Sequence, residues 1–116
     1  MRPVVVGVLL ATACVTVRPQ LLVPPGKYTA VPVDSVRVFT SGDEIAAQGY
    51  QWESVAILFA DAARAADDGA ILRRLRAEAG QLGANGIIMG EIREPGFGGQ
   101  YRKMQVPAVR WWRRPP

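Results

Sequence analysis

The chain has no histidine and a single cysteine, Cys14. No disulfide can close within it. Zinc and copper sites of the usual kind are excluded, because those metals select thiolate and imidazole. Without imidazole, general acid–base work falls to carboxylates with displaced pKa values. The acids that stand together, Asp43-Glu44 and Asp67-Asp68, fall where a turn and a helix cap are expected. No nucleophile–base pair accompanies them, so we expect no catalytic residue, no bound metal, no cofactor and no enzymatic activity. Long apolar runs are scarce too. The longest, Val4–Ala13 (VVVGVLLATA), has ten residues, short of the about 20 that span a bilayer as a helix.

That run follows Met1-Arg2 and ends directly at Cys14. A short basic start, an apolar stretch and small residues make a secretory leader. Leu10-Ala11-Thr12-Ala13-Cys14 is similar to a bacterial lipobox, with Leu one position earlier than the pattern places it. The expectation is that residues 1–13 are a signal peptide and that Cys14 is acylated. Thioether and amide-linked chains would then hold the protein to a membrane, each buried CH₂ adding about 0.8 kcal/mol. Two other readings of the run stand beside this one. Cleavage at the A-x-A-like site Ala11-Thr12-Ala13 would release a soluble periplasmic protein with a free Cys14. Alternatively, the run is a buried strand of a cytosolic domain.

Residues 14–30 contain Pro19, Pro24, Pro25 and Gly26 and read as an extended tether. The single domain is expected over 31–116. With 116 residues, there is room for one modest core. Val31–Thr40 alternates as a first strand, and Ser41 to Glu44 has capping-box spacing for a helical turn. Tyr50–Ala60 is a second strand, nearly continuous in apolar residues from Ser54, as for a strand covered on both faces.

The stretch Asp67–Gly90 organises the rest. Ile71, Leu72, Leu75, Ala79 and Leu82 form one helical stripe, with Arg73, Arg74, Arg76, Glu78 and Gln81 opposite. Asp67 and Asp68 offer N-cap carboxylates, and Gly83 sits where a left-handed residue ends a helix. Ile87-Ile88-Met89 is a short buried strand, which Glu91–Glu94 extends. The glycines of 83–90 follow the helix, so they cannot form a phosphate cradle, which needs glycines at a helix N-terminus. Pro95–Gly99 is a glycine-rich hairpin connection. Gln100–Trp112 is the last strand, with Pro107 pointing to an edge or a bulge. The expected fold is α+β, a small β-β-α-β-β two-layer sandwich with one helix packed on a small mixed sheet.

Helix and turn together resemble the signature L(R/K)xxAxxLGANAVI. It recurs in small bacterial lipoproteins of unknown function, in the outer-membrane stress-sensor lipoprotein of the Rcs pathway, and in the putative heavy-metal-binding pentameric domain family. Leu75-Arg76, Glu78-Ala79 and Leu82-Gly83-Ala84-Asn85-Gly86-Ile87-Ile88 carry the match, and Tyr50–Ala56 fits the preceding strand. The resemblance implies the fold and an envelope location. It carries over neither disulfide sensing nor metal binding, because the residues for them are lacking.

Charge is uneven. Residues 101–116 hold five basic residues and no acid, whereas 15–100 hold eight basic and ten acidic ones. The end Arg110-Trp111-Trp112-Arg113-Arg114 is the candidate interaction surface. Tryptophan and arginine suit a membrane interface, an anionic lipid or another envelope component, and a nucleic-acid partner conflicts with export. The functional expectation is a non-enzymatic envelope lipoprotein, anchored at Cys14 and facing the periplasm. The absence of Asp after Cys14 favours the outer membrane. The alternative is a soluble homo-oligomeric domain binding a small molecule or ion, assembled through the Val31–Phe39 or Gln105–Trp112 strand edges.

Overall fold

A computed structural model describes residues 15–90, 101–113 and 115. Cys14, Arg114, the leader, the extension at Glu91–Glu94 and the glycine-rich loop lie outside them. The protein is an α+β domain built on a five-stranded mixed sheet with one main helix. In chain order the elements are β1 (Val15–Leu21), β2 (Arg37–Phe39), α1 (Gly42–Ala47), β3 (Tyr50–Ala63), α2 (Asp68–Gln81), β4 (Gly86–Ile88) and β5 (Tyr101–Arg113). In space the strands run β1-β3-β5-β4-β2. Only β2 and β4 are parallel neighbours. β3 and β4, joined through α2, point the same way, and β5 lies between them, antiparallel to both.

Helix α2 forms because its apolar residues share one stripe. Ile71, Leu75 and Ala79 are fully buried against Val55, Ala56, Leu58, Ala60 and Ala62 of β3 and Ile87 of β4. Burying Ile71 and Leu75 contributes roughly 1.5–3 kcal/mol each. Arg74 and Glu78 pair across one turn at 3.3 Å. Arg76 is not on the solvent side, as expected from the stripe; its Nε donates to Val36 O at 2.9 Å and ties the approach of β2 to the helix. At the helix start Asp67 occupies the N-cap without a side-chain cap bond. Asp68 instead accepts from Nη1 of the buried Arg102 at 2.7 Å, and Ala66 O accepts from Nη2. The expected capping role of these two carboxylates is therefore replaced by a counterion role for Asp68.

The helix ends as expected. Gly83 has φ +89°. Ala84 N donates to Ala79 O and Gly83 N to Gly80 O, both at 3.0 Å, which closes a Schellman motif. A Cβ on Gly83 would stand 2.5 Å from Tyr28 Cβ.

Residues 14–30 are not a free tether. From Val15 the chain is strand β1, paired to β3 from Val15↔Ala62 to Leu21↔Ala56. The chain then straps onto the domain: Leu22 N donates to Val55 O, and Val31 N to Gly80 O, both at 2.8 Å. Val15, Val17, Val23, Tyr28 and Val31 pack on the core. Prolines misled here because they tolerate an edge strand. Leu22 N points at β3, so the alternation turns residue 19 the other way, and the donor that Pro19 lacks is on the free edge.

Two further expectations change. The first strand shrinks to Arg37–Phe39, preceded by a 3-10 turn at Val33–Ser35. Pro107 lies on an interior strand, β5, not an edge. Val109 O accepts from Asn85 N, so residues 107, 109 and 111 present their backbone groups on the β4 side. β4 pairs with β5 only through Val109 and Ala108, and its ladder stops just before Pro107. The bulge is on β3, between Ser54 and Ala56. It shifts the in–out phase, and with it the near-continuous apolar run is explained. The Gln105–Trp112 segment is paired along one side by β3, and on the other by β4 only at Ala108 and Val109.

The sheet has two faces of different cover. Leu58, Ala60, Ala62, Val106, Ala108 and Ile87 face α2. On the other face Phe39 and Val109 are buried with Ile45 of α1, beside Tyr50, Ile88 and Trp111. Helix α1 starts from Ser41, whose Oγ accepts from Glu44 N at 3.1 Å. Glu44 Oε1 reaches back to Thr40 N at 2.6 Å, one residue before the cap.

Candidate interaction surface

Strand β5 carries the basic, tryptophan-containing end. Alternation along the strand divides it between the two faces. Arg110 points to the α2 side. Its Nη1 donates to Gly83 O at 3.2 Å, and its guanidinium lies 5.3 Å over the Tyr28 ring. A cation at the carbonyl end of α2 complements the helix dipole. Tyr28 donates from its hydroxyl to Glu53 at 2.6 Å, and Lys27 Nζ donates to the same carboxylate at 2.8 Å. The Lys27 bond first, then the Tyr28 bond, hold the Glu53 carboxyl below its ordinary value. Reciprocally, the Glu53 bond raises Lys27 and Tyr28. This cluster fastens the strap to β3.

Trp111 faces the α1 side and is part of the core. Its ring lies 4.5 Å from Tyr50 and edge-on to Phe39 at 6.2 Å. The Arg37 guanidinium covers all three rings, at 4.9 Å from Phe39, 5.3 Å from Trp111 and 5.8 Å from Tyr50. Such stacking contributes roughly 0.5–1 kcal/mol per exposed pair. Arg37 Nη2 also donates to Gln48 Oε1 at 3.0 Å. Asn85 clamps the strand: Nδ2 donates to Trp111 O at 2.9 Å and Oδ1 accepts from Trp111 N at 2.8 Å. Trp111 Nε1 donates to Asn85 O at 2.9 Å.

Trp112 and Arg113 remain exposed. Trp112 is 40% accessible, and its Nε1 donates to Gln51 Oε1 at 3.0 Å across the strand pair. Trp52, opposite Trp111, lies over Gly42 of α1 and is 37% accessible. The expected surface is thus divided. Arg110 and Trp111 hold the fold, Trp112 and Arg113 face solvent, and Arg114 lies outside the described residues. Sequence reasoning missed Gln51 and Trp52. Their signal was the tryptophan in the opposing strand, which only the register makes a neighbour. All three tryptophans of the chain therefore gather at one end of the sheet.

Two concavities lie elsewhere. A cleft of about 350 Å³ opens on the uncovered face between Arg18, Phe59, Asp61, Lys103 and Gln105. An apolar groove of about 300 Å³ lies between Val38, Leu72 and Met89. Among the described residues no three acids or cysteines come together to hold a metal, and no helix is long and apolar enough to cross a membrane.

The fold is similar to that in the crystal structure of a Francisella virulence factor, FvfA, in its orthorhombic form. The TM-score is 0.57 at 13% identity, over 81% of this chain and 96% of that one. At that identity the likeness concerns the fold alone. No family model and no curated protein matches the chain.

Proposed function

We propose that the protein is a non-enzymatic cell-envelope lipoprotein, anchored through Cys14, whose domain binds another envelope component. The observation that carries this reading is the position of Cys14 relative to the fold. The first strand begins at Val15, one residue later. Loss of residues 1–13 and acylation of Cys14 would therefore leave every described element intact. The resemblance of the Leu75–Ile88 segment to envelope lipoproteins supports the same reading, as does the lack of a catalytic constellation among the described residues.

Metabolic labelling with a fatty acid tests it. The wild-type chain should take up label, and Cys14→Ala should not. An unlabelled wild-type chain found in the cytosol with residues 1–14 retained would overturn the reading and favour the soluble binding domain.

A further inference from the structure

We infer that Arg37 and Arg113 together form a binding site for the phosphate group of an organic phosphate ester, over the ring of Tyr50 on the α1 face of the sheet. The inference goes beyond the anchored reading and does not depend on Cys14. The register sets its residues on one face. Tyr50 stands opposite Arg113, and Trp52 opposite Trp111. Residues 50 and 52 of β3 and 111 and 113 of β5 therefore point to the same side, where Trp111 packs with Phe39 and Ile45. Arg37, two residues before Phe39 on β2, points there as well. Trp112, opposite Gln51, is on the other face and takes no part.

The two arginines share Tyr50 as a neighbour. The Arg37 guanidinium lies 5.8 Å from the Tyr50 ring centroid. The Cα atoms of a directly opposed pair are about 4.5–5.5 Å apart, so the Arg113 side chain has the same ring within reach. Arg37 is exposed, yet the fold holds it without a carboxylate. Three rings set the plane of its guanidinium, and Gln48 Oε1 accepts one N–H. A guanidinium carries several further donors, and here they are already oriented. Folding has ordered this side chain, so binding costs it less entropy than it costs an ordinary surface arginine. Arg113 also forms no ion pair among the described residues, and Glu44 of α1 is engaged by Thr40. Two planar cations suit an oxyanion of two charges, to which each can donate a pair of bonds. Trp52, next along this face and 37% accessible, gives the organic part of the ester an apolar wall.

The full-length chain in nonionic detergent is titrated with glycerol phosphate and, separately, with phosphatidic acid doped into the micelles. Tryptophan emission is the readout, since Trp52 and Trp111 lie at the site. A saturable change with glycerol phosphate assigns a free ester; a change with phosphatidic acid alone assigns a lipid headgroup. In either case Arg37→Gln and Arg113→Gln should each weaken binding at least fivefold. Lys103→Gln, the same charge change at the opposite end of β5, should leave it unchanged. Arg37→Lys keeps the charge and loses the planar fork, so it should weaken binding as Arg37→Gln does. Arg37 covers core rings, so its variants are compared only at unchanged thermal melting; if they unfold, Arg113→Gln at the exposed strand tip decides. No response to either probe, equal weakening by Lys103→Gln, or full binding by Arg37→Lys overturns the inference. Failure of the anchored reading is separate: a chain that takes no label at Cys14 keeps this site.

Discussion

Asn85 shows how much one side chain can settle. Its amide gives Trp111 both bonds that a neighbouring strand residue would have given, and its own backbone links Val109 to Arg37. We expect Asn85→Asp to lower stability by about 1–3 kcal/mol, since the lost donor leaves the part-buried Trp111 O facing a carboxylate. A melting temperature lower by several degrees checks this. The Asn of the helix-turn signature therefore has a mechanical reason, which the motif alone does not disclose. Gly83 was legible from its place after the apolar stripe, but its tight approach to Tyr28 was not, because the partner is 55 positions away in the chain. At the same scale, Glu53 predicts a pH dependence. Its folded pKa is depressed by Lys27 and Tyr28, so its contribution is present above the unfolded value near 4.5 and fades as pH falls through the folded one. Lys27 and Tyr28 are raised, so their contributions fade at the alkaline end, above pH 10. Glu53→Gln should flatten the acid limb of a stability profile measured by chemical denaturation; an unchanged limb would assign it to other carboxylates.

Among the elements, α2 was the most readable, because a period of 3.6 is a local property of the sequence. Leu75→Ala in its buried stripe should cost about 2–5 kcal/mol, read from urea midpoints. The strands were harder. Alternation identifies a strand but not its neighbours; the proline at 19 read as part of a tether and the one at 107 as the sign of an edge or a bulge. One truly is on an edge. The other lies inside the sheet, where a three-residue β4 ends before reaching it. The long β3 read as a core strand for a sound reason, though its phase change at the bulge depends on β5 and could not be seen in one strand. The strongest element-level prediction concerns β1. A chain starting at Val31 retains all of the domain expected from sequence, yet it strips Ala56–Ala62 of their outer partner. It should aggregate or lose cooperative unfolding, whereas a chain starting at Val15 should give one sharp transition by circular dichroism.

At the scale of the whole molecule, the contrast between ends is set by topology and not by composition. The basic excess of residues 101–116 read as one tail. Because β5 spans the sheet, Arg102 is buried at one end and Arg113 exposed at the other. The segment 110–113 read as one surface, whereas the pleat sets Arg110 and Trp112 on one face and Trp111 and Arg113 on the other, a division that only the register discloses.

Pro19 has a bearing on crowding. Under the proposed anchoring, the molecules are confined to a plane, where the β1 edge of one copy can meet that of another. Two dimensions raise the effective concentration of every edge for every other, and an unbroken row of donors would seed ribbons of copies along the membrane. One missing N–H, facing outward in the middle of a seven-residue edge, interrupts such a row where a joining strand would need it. Pro19→Val, silent in dilute solution, should reveal itself on vesicles as clusters by cross-linking, and its absence there would leave the sheet's other features to keep the copies apart.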